Sequence, residues 1–208
     1  AKLKIKVPSL TWVADFRDPW TQWEILHEMK ISKPIWKRHK QLEQQVFKVA
    51  NSLLVTSRSA AKEFEELGAR RVKVITNGFD SDDFTEASTS AREVKLISHI
   101  GMLSNQRNPQ VLWESLSKLA STEKFQLKLT GIISSEVLND IQAFEGLKDM
   151  ITVQDSIPHA ELSEHYAGSD LLLLIQTKTD RLQTQLPGKL FEYLQAKKPI
   201  LCIGDTES

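Results

Sequence analysis

Short, unbroken apolar runs alternate with helical patterns along this chain, and that alternation limits the fold more than any other feature. The runs are rich in leucine or β-branched residues, which is typical of strands buried on both faces of a parallel sheet. The predicted strands are 10–16, 52–56, 72–76, 94–101, 126–130, 151–154, 170–175 and 199–203.

Helical patterns fill the intervals between these runs. The predicted helices are 34–51, 58–67, 108–119, 135–144, 159–167 and 188–196. Asn108 is the expected N-cap of the third, with Pro109 at its first helical position. Leu190 and Leu194 are expected to face the sheet from the last helix. Strand–helix alternation of this kind predicts right-handed βαβ units and an α/β fold with doubly wound parallel sheets.

One stretch, 80–93, interrupts the pattern, because it is rich in Ser, Thr, Asp and Glu and has no periodicity. We interpret it as an interdomain connection. Residues 1–79 then form the C-terminal part of one Rossmann-like domain, which is incomplete. Residues 94–208 form a second, nearly complete Rossmann-like domain that is truncated at its C-terminus. Both ends of the chain cut through strand patterns, so we expect a fragment of a longer two-domain protein.

The charge balance argues against a nucleic-acid partner, because 27 Lys and Arg match 27 Asp and Glu. Cys202 is the only cysteine; its strand position predicts a core residue, and a lone thiol is typical of a reducing cytoplasm. The histidines lack paired metal spacing, and the acidic segment from Asp80 to Asp83 is interpreted as a solvated linker. We therefore predict no metal site and no cofactor.

The segment 185–200 carries the clearest candidate for a ligand site. Pro187 suits a first helical turn, and Gly188 lets a ligand approach the backbone. Lys189 adds positive charge to the helix N-terminus, which favours an anion. Glu192 lies on the same face and is suited to accept hydrogen bonds from hydroxyls such as those of a ribose. The alternative is a surface Lys–Glu pair on an ordinary helix.

Residues 186–194, Leu-Pro-Gly-Lys-Leu-Phe-Glu-Tyr-Leu, followed by Lys-Pro-Ile-Leu, resemble the donor-site segment of GT-B glycosyltransferases of the family 4 type. The resemblance implies that Glu192 binds the ribose of a nucleotide and Lys189 its diphosphate. Many family members carry another Glu eight residues before this one, near the transferred sugar. Thr184 occupies that position here, so the resemblance leaves the sugar contacts open.

Residues 99–109 resemble the first strand–loop–helix of the family's donor domain. Gly101 closes the strand, and Arg107 stands where a phosphate-binding cation is expected; the alternative is an exposed loop arginine. Met102 replaces the arginine that often follows the glycine. His99 ends the strand beside Gly101, which gives it possible access to the cleft. The loop at Ile157 is expected to offer backbone groups to the nucleotide base.

Residues 12–20, Trp-Val-Ala-Asp-Phe-Arg-Asp-Pro-Trp, are similar to an acceptor-domain strand ending in the same family. The resemblance places Asp15, Arg17 and Asp18 at the cleft as candidate catalytic residues, with Arg17 where a histidine is frequent. The alternative is a capped turn with a structural Asp–Arg pair.

The resemblance implies transfer of a sugar from a nucleotide-diphosphate sugar to an acceptor hydroxyl, with retention and without a metal, in polysaccharide or glycolipid synthesis. The implied acceptor is a saccharide or a lipid-linked saccharide. The basic segment 34–40 indicates either docking at the inner face of a membrane or a solvated helix start with a buried Trp. Two other functions stay open: a nucleotide-binding or interaction module without transfer activity, and a nucleotide-sugar epimerase of the same fold.

Overall fold

The computed structural model describes residues 1–23, 26–27, 29–83, 93–176 and 186–204. The described residues form two compact units. The first contains 1–23, 26–27, 29–77 and 186, and the second contains 78–83, 93–176 and 187–204. Each unit is built on a parallel sheet with flanking helices, as the strand–helix alternation predicts. The predicted roles of the two parts, acceptor side and donor side, stay predictions.

The first unit has a sheet of three strands in the order β1-β2-β3. Its elements are α1 (Lys2–Lys6), β1 (Val13–Phe16), α2 (Lys33–Val49), β2 (Ser52–Val55), α3 (Arg58–Glu66) and β3 (Val72–Val74). Phe16, Phe47 and Phe64 pack their rings together in the core, with centroids 5.0–5.8 Å apart. Glu43 is buried beside them because its carboxylate accepts hydrogen bonds from the backbone N–H and the hydroxyl of Thr21.

The second unit has a sheet of five parallel strands. Its elements are β4 (Lys95–Ile100), α4 (Gln110–Leu119), β5 (Phe125–Thr130), α5 (Ser135–Gln142), β6 (Ile151–Gln154), α6 (Leu162–Ala167), β7 (Leu171–Ile175), α7 (Gly188–Gln195) and β8 (Ile200–Ile203). Short 3₁₀ turns lie at Ser81–Asp83, Asn105–Arg107, Glu145–Met150 and His159–Glu161.

The strand order in this sheet is β6-β5-β4-β7-β8. The chain adds strands on one side of β4 and then returns to add β7 and β8 on the other side. The order therefore reverses between β4 and β7, and this reversal is the topological switch point of a doubly wound sheet. The fold-class prediction is confirmed.

Both faces of this sheet are covered, because its strands alternate apolar side chains between two layers. One layer is formed by Ile97, Leu129 and Leu173 with Trp113 of α4 and Ile141 of α5. The opposite layer contains Ile100, Leu172 and Leu174, together with Tyr166 of α6 and Tyr193 of α7. Helices on both faces fix the positions of the strand ends. No helix in the described ranges is both long and apolar enough to cross a bilayer.

Three local predictions are wrong. Pro109, not Asn108, takes the N-cap position of α4, while the Asn108 side chain bridges Asp140 and the indole N–H of Trp113. Leu194 is 57% exposed, and Tyr193 is the residue of α7 that enters the core. Cys202 is exposed, because β8 is an edge strand of the sheet.

Candidate functional site

The candidate site lies at the switch point of the second unit. Open parallel sheets bind ligands beyond the carboxyl ends of their strands at such a point, because the connections leave a crevice there. Gly101 and the turn Asn105–Arg107 follow β4 on one side. The first turn of α7, which contains Lys189, contributes the other side.

Gly101 and Lys189 are in direct contact. Gly101 has a φ of +136°, and a Cβ added there would coincide with Nζ of Lys189 and lie 2.9 Å from its Cε. Gly131, at the end of β5, has a φ of +123°, and its Cβ would lie 2.9 Å from the carbonyl carbon of Gly101. Only glycine satisfies both the backbone angle and the available space at these positions. The absence of two side chains thus seats the ammonium group at the end of β4.

Arg107 and Lys189, the two predicted phosphate contacts, act on each other electrostatically. Burial lowers the pKa of Lys189, the positive charge of Arg107 lowers it further, and Glu192 opposes the shift. Lys189 and Glu192 form no ion pair within the described part of the chain, and both side chains are half-buried. The surface-pair interpretation therefore does not fit, and neither does an exposed Arg107, which is also half-buried.

His99 lies beneath this pair of cations. Its side chain is 3% exposed, and Nδ1 is 3.0 Å from the carbonyl oxygen of Leu173. Nε2 has no hydrogen-bond partner among the described residues. Burial, together with the charges of Lys189 and Arg107, lowers the pKa of His99 to about 4. The ring is therefore neutral near pH 7, with Nδ1–H donating to Leu173 and a lone pair on Nε2.

Glu192 is held by Tyr166, whose hydroxyl donates a 2.6 Å hydrogen bond to Oε2 of the carboxylate. Burial and this hydrogen bond raise the pKa of Tyr166 well above its ordinary value, so the phenol stays protonated. A cavity of about 150 Å³ opens beside the two residues and is lined by residues 78–80 and by His159, Leu162, Ser163, Tyr166 and Glu192. Pockets for whole drug-sized ligands start near ~300 Å³, so this cavity suits one ring of a larger ligand.

Tyr193 fixes α7 to the switch point. Its side chain is fully buried, and its ring meets that of Tyr166 edge-on with centroids 5.2 Å apart. The hydroxyl lies 3.4 Å from the amide nitrogen of Ile100 in β4 and 3.4 Å from the carbonyl oxygen of Leu173 in β7. The helix that carries Lys189 and Glu192 is therefore docked on the two strands that define the crevice.

Comparison with known proteins supports the architecture. The sequence matches no protein-family model and no curated protein. Solved structures do match. A sucrose-phosphate synthase from Thermosynechococcus elongatus has a TM-score of 0.64 at 12% identity, over 97% of this chain and 52% of its own. WaaG, a glycosyltransferase involved in lipopolysaccharide biosynthesis, has a TM-score of 0.63 at 16% identity, over 91% and 55%. The chain has the GT-B fold.

A third similar GT-B structure contains bound ligands. A variant of S. aureus TarM in complex with fondaparinux, α-GlcNAc-glycerol and UDP has a TM-score of 0.60 at 12% identity, over 80% of this chain and 32% of its own. The chain spans about half the length of the first two structures. At these identities the likeness concerns the GT-B fold itself.

Three other predicted donor-side residues, Pro187, Gly188 and Ile157, do not line the cavity. Pro187 is the N-cap of α7 and Gly188 its first residue, where an added Cβ would meet nothing within 4 Å. Ile157 is half-buried in the loop after β6, but the cavity is lined by His159 from the same loop. Thr184 lies outside the described residues.

The candidate acceptor-side residues belong to the first unit. Asp15 is exposed on β1, and Arg17 and Asp18 are exposed directly after the carboxyl end of that strand. This is the end at which open parallel sheets bind ligands. Their catalytic role stays a prediction.

Sequence reasoning missed Gly131, Tyr166 and Tyr193. Gly131 had a detectable signal, because it follows β5 directly in the same way that Gly101 follows β4. Tyr166 had none, since it meets Glu192 across 26 residues of sequence. Tyr193 was hidden by its neighbours, because Leu190 and Leu194 also fit the apolar face of a helix.

Proposed function

We propose that the second unit binds a nucleotide-diphosphate sugar and that the protein transfers the sugar to an acceptor hydroxyl. The observation that carries the proposal is the contact of the Lys189 ammonium with Gly101 at the switch point, with Arg107 beside it. Two cations in a half-buried crevice attract a dianionic ligand, because charges interact more strongly where water is largely displaced.

In this proposal Lys189, Arg107 and the free N–H groups in the first turn of α7 hold the diphosphate. A nucleoside diphosphate leaving group gains negative charge as the bond to the sugar breaks. Fixed positive charge at that position lowers the barrier and takes the part that a metal ion plays elsewhere. We therefore propose a metal-independent reaction, and the resemblance to family 4 enzymes favours retention.

Glu192 and the cavity beside it would receive the nucleoside. Tyr166 orients the carboxylate, leaving its second oxygen to accept hydrogen bonds from ribose hydroxyls. The loop at Ile157 and His159 borders the same region and would contact the base. The UDP bound to the structurally similar TarM makes UDP the first nucleotide to test.

The acceptor is proposed to be a saccharide or a lipid-linked saccharide, with Asp15, Arg17 and Asp18 facing it. Polysaccharide or glycolipid synthesis fits the neighbour WaaG, which is involved in lipopolysaccharide biosynthesis. A cytoplasmic location rests on the lone cysteine of the sequence. Trp36 of the basic segment 34–40 packs edge-on against His27 at 4.6 Å and lies under Lys40. Docking at the inner face of a membrane would therefore rest on the basic side chains and not on this Trp.

Calorimetric titration with UDP, GDP and ADP tests the donor site. We expect Lys189→Ala to weaken binding by about tenfold to hundredfold, because a hydrogen bond to a charged group contributes about 1.5–3 kcal/mol. Lys124→Ala, an exposed lysine of the same unit, serves as the control. No binding by the wild type, or equal affinity of wild type and Lys189→Ala, would refute the donor site.

Transfer is tested separately from binding. Incubation with a radiolabelled nucleotide sugar and candidate saccharide acceptors should yield a labelled product and free nucleoside diphosphate. Binding without any hydrolysis or transfer would favour the module interpretation. Interconversion of the sugar without its release would favour an epimerase.

Tyr166→Phe tests the placement of Glu192. Loss of the hydroxyl frees the carboxylate, and we expect UDP affinity to fall by about threefold to tenfold, because a net hydrogen bond contributes about 0.5–1.5 kcal/mol. Affinity for inorganic pyrophosphate, which lacks a ribose, should not change. An equal loss for both ligands would contradict a ribose contact at Glu192.

A further inference from the structure

We propose that His99 takes up a proton when the diphosphate binds and then donates a hydrogen bond from Nε2 to a phosphate oxygen. This inference rests on the proposed function, because the anion is the diphosphate of the proposed donor. It adds to that site one proton and a third phosphate-binding side chain, after Lys189 and Arg107. The proton moves from solvent to Nε2, and no other bond forms or breaks.

The geometry leaves Nε2 as the ligand-facing atom of His99. Nδ1 is engaged, because its hydrogen points at the carbonyl oxygen of Leu173, 3.0 Å away. Nε2 lies 4.0 Å from the Cβ position of Gly101, and a Cβ there would also clash with the ammonium of Lys189. It is buried and has no hydrogen-bond partner among the described residues. A buried polar atom without a partner is rare and costly in folded proteins, and one beside a ligand site is explained by the ligand.

Burial is the main reason why the proton is absent before binding, and charged groups around the ring add to it. Lys189 approaches from α7 and Arg107 from the turn after β4, and both disfavour a third positive charge. Glu192 acts on Lys189, not on His99. The register neighbour on β5, Leu129, is apolar, and the hydroxyl of Tyr193 shares the Leu173 carbonyl. The backbone of Leu173 and of Met102 favours the protonated ring, but no carboxylate among the described residues acts on it.

A bound diphosphate reverses this balance. Its two negative charges neutralise Lys189 and Arg107 and supply oxygen acceptors close to Nε2. The pKa of His99, about 4 in the free protein, then rises toward the ordinary range. Between the free and bound pKa values, binding takes up protons, so affinity increases as the pH falls.

The competing arrangement keeps His99 neutral, with Nε2 accepting a hydrogen bond from a ligand hydroxyl. That contact needs no proton and gives no pH dependence. The depth of His99 beneath Gly101 and Lys189 favours the phosphate, since these groups are the diphosphate contacts of the proposed site.

Calorimetry with UDP-glucose tests the inference, because its phosphates are diesters that do not titrate in the range used. Titrations at about pH 5 to about pH 8, in buffers of different ionisation enthalpy, give the net proton uptake. We expect uptake approaching one proton per site at the acidic end. The Kd should increase with pH by up to about tenfold per unit.

Two variants of His99 separate the roles. Gln places a permanent N–H donor near Nε2, so His99→Gln should retain binding, with no proton uptake and a flat pH profile. His99→Phe should bind at least about tenfold more weakly at pH 5 than the wild type. Lys189→Arg, which keeps a permanent charge, should still take up the proton. Thermal unfolding of each variant checks that it is folded.

The outcomes are distinguishable. Binding by the wild type without proton uptake, or uptake that persists in His99→Gln, would overturn the role of His99 and leave the donor site intact. Uptake that disappears in Lys189→Arg would assign the proton to Lys189 and overturn it as well. No binding at any pH would overturn the donor site itself.

Discussion

Gly101→Ala is expected to lower nucleotide diphosphate affinity by about tenfold to hundredfold, as Lys189→Ala does, and to destabilise the fold as well. The added Cβ would coincide with Nζ of Lys189, so the ammonium must leave the end of β4. Residue 101 also has a φ of +136°, a backbone conformation that costs a non-glycine residue on the order of 1–3 kcal/mol. The displaced lysine lowers the affinity for the ligand, and the backbone strain lowers the free energy of unfolding.

Calorimetry with UDP measures the affinity, and thermal unfolding measures the strain. Gly188→Ala is the matched control for stability, because an added Cβ there meets nothing within 4 Å. It should unfold at the wild-type temperature or slightly higher, since Ala is the better helix former. A Gly101→Ala protein that binds UDP as the wild type does would show that Lys189 does not need its position against Gly101.

Acid is expected to destabilise the second unit through His99. The folded-state pKa of about 4 lies below the ordinary value of 6.5, so the unfolded chain binds more protons between these two pH values. The contribution of His99 to the free energy of unfolding is therefore fully present above pH 6.5, and it is lost as the pH falls from 6.5 to 4. The loss amounts to about 3 kcal/mol, because one pKa unit corresponds to about 1.4 kcal/mol.

Urea unfolding at a series of pH values measures this slope. His99→Phe removes this group and should make the profile shallower in this window, where His165, whose pKa burial also lowers, contributes the remaining slope. His159→Gln, at an exposed histidine of the same unit, is the substitution control. If His99→Phe and the wild type lost the same stability between these pH values, His99 would not be the group responsible. UDP-glucose should reduce the slope if the bound anion raises the pKa of His99.

The predicted strands all have counterparts in the structure, because each is a short apolar run that only a sheet buried on both faces can accommodate. Their ends are less accurate. The first strand begins at Val13 and not at Leu10, since pairing with Ser52 in β2 decides where the ladder starts. Asn108 failed as a cap for a similar reason. Its side chain bonds instead to Asp140, 32 residues away, and to the indole N–H of Trp113 in the first turn of α4.

Local pattern alone predicts the helix in the segment 185–200 and the residues in its first turn. A helix that begins after Pro187 places Lys189 in its first turn, whatever the rest of the chain does. Glu192 follows one turn later on the side that the helical repeat dictates. These facts depend only on the period of the helix and on its dipole, so a single sequence contains them.

The tertiary structure alone decided what surrounds these two residues. Lys189 is seated by Gly101, Glu192 is held by Tyr166 across 26 residues, and His99 is anchored by Leu173 across 74. Each pair meets because the strand order reverses between β4 and β7 and α7 is docked there by Tyr193. The sequence by itself determined the α/β class and the charges of the helix start. The surroundings of those charges depend on the reversal of strand order, because it brings together residues that are distant in the sequence. No local sequence pattern reveals that reversal.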